Sequence, residues 1–163
     1  MMTWAKNLWA RVRGKPVARR TERQKRGDAG EAEAARFLAR ERGMKILARN
    51  WRSPRNWHHE IDIVCLSPEG ALVFVEVRTR WDGLLFQAHA SINRHKKKVL
   101  KRGALEYLRG LGPRRHEMTW RFDIVIIERT PDGRYLPHHF EDVPLFSNKT
   151  YLRASGANGA KHP

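Results

Sequence analysis

Residues 59–80 read HEIDIVCLSPEGALVFVEVRTR, and Asp62 and Glu76 each stand where an apolar strand would carry a valine. Two carboxylates held face to face repel, so a shared proton, a nearby cation or a bound metal must offset them. Hard divalent ions such as Mg²⁺ take oxygen ligands, commonly one or two protein carboxylates completed by waters and substrate phosphates. An acid on one strand, and an acid with a cation two residues later on the next, therefore suits phosphodiester hydrolysis. The chemistry on offer is a phosphate polarised and a water ionised at the metal, with Arg78 steadying the charge that develops. The plainer alternative is a solvated strand face on which Glu60 and Asp62 pair with Arg78 and Arg80.

Whether the acids meet depends on register, because strand side chains alternate faces. Pairing Leu66 with Leu72 across the five-residue link SPEGA sets Ile61 against Val77, Ile63 against Val75 and Cys65 against Val73. That is one continuous apolar face, and a slip of one residue would destroy it. On the other face Asp62 falls opposite Glu76, with Cβ atoms about 4.5–5.5 Å apart, and Glu60 falls opposite Arg78.

The surrounding elements must hold this hairpin. From Asp28 the stretch DAGEAEAARFLARERGM reads as a helix stopping at Gly43. Glu31 shares a stripe with Ala35 and Leu38 and could look over a sheet. Asp28 with Glu31 also resembles a capping box, which would give Glu31 a structural role instead. Strands are expected at 45–52, 60–66, 72–79 and 120–128, with a short edge strand near 134–138. Ile92, Val99, Leu100, Ala104, Tyr107, Leu108 and Leu111 form one stripe of a helix over 92–111. That helix is long enough for a crossover to a parallel fourth strand. The expected fold is thus α/β, with an antiparallel meander plus a parallel strand in a mixed four- to five-stranded sheet flanked by helices. His58 and His59 fall in a polar loop; they and His138 and His139 read as exposed residues rather than ligands. Trp57 and Trp81 border the hairpin and could stack on bases, although core or edge positions suit them better.

The 163 residues fit one domain with tails: a basic arm at 1–26, a domain over 27–146 and a small, polar, disordered end at 147–163. Trp4, Leu8 and Val12 could form a short amphipathic helix in the arm. No apolar run reaches the roughly 18–20 residues of a membrane span. A secretory h-region is not visible, and the single Cys65, set in an apolar strand pattern, reads as a small buried hydrophobe. One cysteine fits a reducing compartment, hence the cytoplasm. The charge is far from balanced: 33 Lys and Arg against 17 Asp and Glu, net +16, which points to a polyanionic partner. Residues 1–26 hold nine Lys and Arg with one acid, and 94–102, RHKKKVLKR, hold six with none.

The combination of GE in the first helix, EID, VFVEVRTR and RFDIV resembles the YraN-like family of small bacterial proteins, over about residues 24–146. The resemblance implies a restriction-endonuclease-like, three-layer core of the PD-(D/E)xK superfamily, similar to archaeal Holliday-junction resolvases. It implies that Glu31, Asp62 and Glu76 bind Mg²⁺ or Mn²⁺, with the Val77 carbonyl as a further ligand. Arg78 would complete the catalytic set. The superfamily usually has lysine at that place; a guanidinium stays charged, so Arg78 suits a phosphate clamp and makes a poor general base. Asp123 of RFDIV is expected to support the strand end near Arg78 or a helix terminus. Arg94, Lys96, Lys97, Lys98, Lys101 and Arg102 would track phosphates at the start of the second helix.

These lines converge on a metal-dependent nuclease, or nuclease-related protein, acting on branched or single-stranded nucleic acid, with DNA favoured over RNA. Related resolvases act as dimers, which implies a homodimer. Two other readings remain: a nucleic-acid-binding protein that keeps the fold without catalysis, and membrane-surface attachment through residues 1–26.

Overall fold

The computed structural model describes residues 21–80 and 92–145. Most of the expected arm (residues 1–20), the link at 81–91 with Trp81, and the tail at 147–163 lie outside the described residues. Helix α1 spans Glu22–Arg40 and begins inside the stretch read as a basic arm. Gly27 costs a helix about 1 kcal/mol relative to alanine, but the Ala-, Glu- and Arg-rich sequence on either side carries the helix through it. Asp28 therefore sits within the helix, which removes the capping-box alternative for Asp28 and Glu31. The chain leaves α1 where expected: Gly43 takes φ +64°, and the Met44 N–H donates to the Leu38 carbonyl at 2.9 Å.

Five strands follow: β1 (Lys45–Arg52), β2 (Glu60–Leu66), β3 (Leu72–Arg80), β4 (Trp120–Arg129) and β5 (Tyr135–Phe140). They form one sheet in the order β1-β2-β3-β4-β5. β1, β2 and β3 are an antiparallel meander, β3 and β4 run parallel, and β5 returns antiparallel at the edge. The parallel step is spanned by helix α2 (Arg94–Gly110) and a short 3-10 turn at Gly112–His116. Asn93 caps α2, its side chain accepting the Lys96 N–H at 2.8 Å.

One helix covers each face of the sheet. Ala34, Ala35, Phe37 and Leu38 of α1 pack on Ile63, Cys65, Val73, Val75, Val125 and Ile127. Leu100, Ala104, Tyr107 and Leu108 of α2 pack on the opposite face with Val64, Phe74, Phe122, Ile124 and Ile126. The expected mixed α/β architecture is thus the observed one, in three layers. Cys65 is fully buried as expected, and burial, then the Asp123 charge, pushes its thiol up to about 12.

Candidate functional site

The β2–β3 register is the one that the apolar pattern demands: Leu66 pairs with Leu72, Cys65 with Val73 and Ile63 with Val75. Beyond Ile63 the hairpin opens. Asp62 Oδ2 accepts the Val77 N–H at 2.8 Å, so a carboxylate takes the bond a neighbouring strand would make. Two expectations fail at this opening. Ile61 joins the α2 side of the sheet while Ile63 packs toward α1, so the apolar face is not continuous. Glu60 does not meet Arg78; it pairs with Arg52 at 2.9 Å, across from it in the β1–β2 ladder. The solvated-face alternative fails as well, because Asp62 and Glu76 are both buried.

Glu76 is the centre of the site. Arg78 Nη2 lies 3.2 Å from its Oε1, and Lys96 Nζ of α2 lies 3.0 Å from its Oε2. The Lys96 ammonium is thus the partner of the buried Oε2. Burial first and the Asp62 charge second raise the Glu76 carboxyl to about 7, against the downward pull of Lys96 and Arg78. A carboxyl of this kind is poised between its acid and its carboxylate at neutral pH.

Glu31 is brought to the same end of the sheet by a close helix–strand approach. A Cβ on Gly30 would fall on the Thr79 hydroxyl, so only glycine lets α1 lie this near β3. Glu31 is half-buried; desolvation and then the Asp62 charge raise its carboxyl, and a hydrogen bond with the Asn50 side chain opposes them. Its Oε2 is buried without a hydrogen-bond partner. Asn50 holds φ +48° in β1, a conformation that asparagine tolerates better than most residues. Sequence reasoning missed Asn50; a lone amide inside the strand KILARNWR was the available signal.

Asp62 thus stands electrostatically between Glu31 and Glu76, raising both. Among the described residues, no three or more His, Cys, Asp and Glu side chains are gathered into a group that could hold a metal ion. The donor chemistry nevertheless fits a hard divalent cation: carboxylates only, one of them, Glu31, with a buried oxygen that has no hydrogen-bond partner.

The basic cluster divides in two. Lys96 turns inward to Glu76, whereas Arg94, Lys98 and Arg102 are exposed at one-turn spacing on the outer side of α2. Lys97 and Lys101 are half-buried. Of the four histidines, His58 is exposed as expected and the other three depart from expectation. His59 is buried, with Nδ1 3.0 Å from Glu106 Oε1 of α2. The His139 side chain is fully buried, with Nε2 2.8 Å from Asp123 Oδ2, and His138 lies 3.2 Å from Glu128. Asp123 has the structural role expected, at a different place. It binds Arg121 and accepts the Asp142 N–H at 3.0 Å, tying β4 to the end of β5 rather than supporting Arg78. Nearby acids, unseen from sequence, are what turned these histidines inward.

Fold and site together define a mixed α/β protein with a buried, cation-flanked carboxylate pair where a β-hairpin opens. The model of "Uncharacterised protein family UPF0102" matches residues 30–127, which span α1 from Gly30 through most of β4. The chain belongs to the UPF0102 family. A UPF0102 protein of Corynebacterium efficiens is 38% identical over 125 residues, covering 76% of this chain and 95% of the relative. One from Synechococcus is 35% identical over 133 residues, covering 78% and 92%, and one from Moorella thermoacetica is 42% identical over 107 residues, covering 64% and 82%. Gly30, Glu31, Asp62, Glu76, Arg78, Lys96 and Asp123 all lie within the matched span.

Proposed function

We propose that this protein is a metal-dependent nuclease acting on DNA with branched or single-stranded features. The observation that carries the reading is Glu76, a buried carboxyl raised to about 7 beside Asp62, with cations at 3.2 and 3.0 Å from its two oxygens. Asp62 and Glu76, with Glu31, would hold Mg²⁺ or Mn²⁺. Bound there, the ion supplies Lewis-acid polarisation of a phosphate and a water acidified toward neutrality. Arg78 is fixed by Glu76 and offers a planar, permanently charged fork to phosphate oxygens. Lys96 offers a second cation on the other side of the same carboxylate. Asp62 holds the strand end through the Val77 N–H. The resemblance of EID and VEVRTR to the PD-(D/E)xK pattern supports the same reading.

The test is incubation of the purified chain with single-stranded, duplex, branched and RNA substrates in Mg²⁺, Mn²⁺ or EDTA, with Glu76→Ala purified in parallel. Cleavage that requires metal and disappears in Glu76→Ala is the expected result. Absence of cleavage across the panel by wild type refutes a nuclease acting alone.

A second reading is favoured by Arg78 standing where the superfamily usually has lysine, and by Lys96 already paired with Glu76. On that reading the fold binds nucleic acid without hydrolysing it. Glu76→Ala would then leave affinity unchanged or raise it, because a repulsive acid is gone.

A further inference from the structure

The turn between β1 and β2 is built far more firmly than a connector requires. Ser53 N–H donates to the His59 carbonyl at 3.0 Å and His59 N–H to the Asn56 carbonyl at 2.9 Å. The buried Ser53 Oγ accepts the Arg55 N–H at 3.1 Å, and Asn56 Oδ1 accepts the His58 N–H at 3.1 Å. His59 then anchors the whole turn to α2 through Glu106. Hydrogen bonding with Ser53 first, and with His59, holds the Glu106 carboxyl below its usual range. At the tip of this rigid turn is Trp57, 64% exposed, against 41% for Leu136 and 36% for Leu105, the other large exposed hydrophobics among the described residues. The His58 ring lies 3.9 Å from the indole, tilted by 32°.

We propose that Trp57 is a stacking platform for an unpaired nucleobase, and that it directs the protein to nucleic acid with exposed bases. The proposal rests on the nucleic-acid reading above and narrows its substrate class. An exposed indole on a flexible loop would need no explanation; one presented by a hydrogen-bonded turn has its orientation set beforehand, which reduces the ordering cost of binding. His58 backs the ring and limits its rotamers. The charge beside it suits the same ligand. α2 runs from Lys96 at the carboxylate site to Glu106 under the turn, about 15 Å along the helix axis. Lys98 and Arg102 stand exposed along that length, and Arg94 just before it. A strand whose phosphates follow these cations runs along the outer side of α2 toward the end of the helix that anchors the Trp57 turn. Bases in a closed duplex are already stacked and hydrogen-bonded, so only an unpaired base can use Trp57 without first being unstacked. Stacking is tolerant of base identity, because every base has a π-face.

The test measures fluorescence anisotropy with the full chain in EDTA, on a labelled mixed-sequence single strand and a blunt duplex of equal length. Trp57→Ala is expected to weaken single-strand binding about ten-fold and to alter duplex affinity by less than about two-fold. Trp57→Phe, which keeps an aromatic face, is expected to retain most of the single-strand affinity. Duplex binding by each variant shows at once that the fold is intact. Equal losses on both probes, or no loss on either, overturn the stacking role while leaving the nucleic-acid reading in place. Failure of wild type to bind either probe at low salt overturns both.

Discussion

Glu76 carries two demands that conflict. Its burial favours the neutral acid, while Lys96 and Arg78 favour the carboxylate; burial and Asp62 prevail. The folded-state value of about 7 exceeds the ordinary 4.5, so the native state binds this proton more tightly than the unfolded chain. The stability associated with it is fully present below about pH 4.5 and is lost as pH rises through about 7. Glu76→Gln removes that titration. Its melting temperature should match wild type near pH 4.5 and exceed it at pH 8, by an amount on the order of 5 °C, in parallel thermal melts. Excess Mg²⁺ at pH 8 should raise the melting temperature of wild type and leave Glu76→Gln unmoved, because a cation binding only the ionised pair stabilises the native state by mass action. Both acids were legible in the sequence, as charges interrupting apolar strands. The titration of Glu76 was not, because it depends first on how deeply the packed fold buries the carboxyl, and the opposing Lys96 lies 20 positions along the chain.

At the scale of elements, α1 is held against β3 through Gly30. Gly30→Ala would set a methyl on the Thr79 hydroxyl and force helix and strand apart beside Glu31, Glu76 and Arg78. The expected loss is about 1–3 kcal/mol, as for other overpacked contacts, even though alanine is the better helix former. Urea unfolding measures the loss, and a nuclease assay should show activity falling further than stability alone explains. A Gly30→Ala protein as stable as wild type would mean that α1 does not need this approach. GE was visible in the sequence as part of a family resemblance, but its physical reason was not, since Thr79 is far from Gly30 along the chain. The boundaries of β1 and β2 were readable from alternation and turn residues alone. The start of α1 was missed by six residues because glycine and acid at 27 and 28 imitate a helix boundary.

For the whole molecule the governing quantity is the net charge of +16. If it serves nucleic acid, affinity must depend steeply on salt: with six or more phosphate contacts, binding should fall roughly 1,000-fold or more between 50 and 200 mM salt. Charge-neutral substitution of Arg94, Lys98 and Arg102 should flatten that dependence, and an unchanged slope in anisotropy titrations would place the contacts elsewhere. Among the described residues no helix is long and apolar enough to cross a membrane. The sequence by itself determined the order of elements, the β2–β3 register from Ile63 to Leu66, and the presence of Asp62 and Glu76 on neighbouring strands. Those features follow from local periodicity and from a short link, which leaves the chain few alternatives. Only the tertiary structure decided that Lys96 turns inward, that Asn50 reaches Glu31, that His59 and Glu106 lock a turn beneath an exposed Trp57, and that Asp123 serves the far edge of the sheet. Each of these pairs side chains from elements that meet through packing of α1 and α2 on opposite faces of the sheet, and no local pattern encodes which way a polar side chain turns once its neighbours are other parts of the fold.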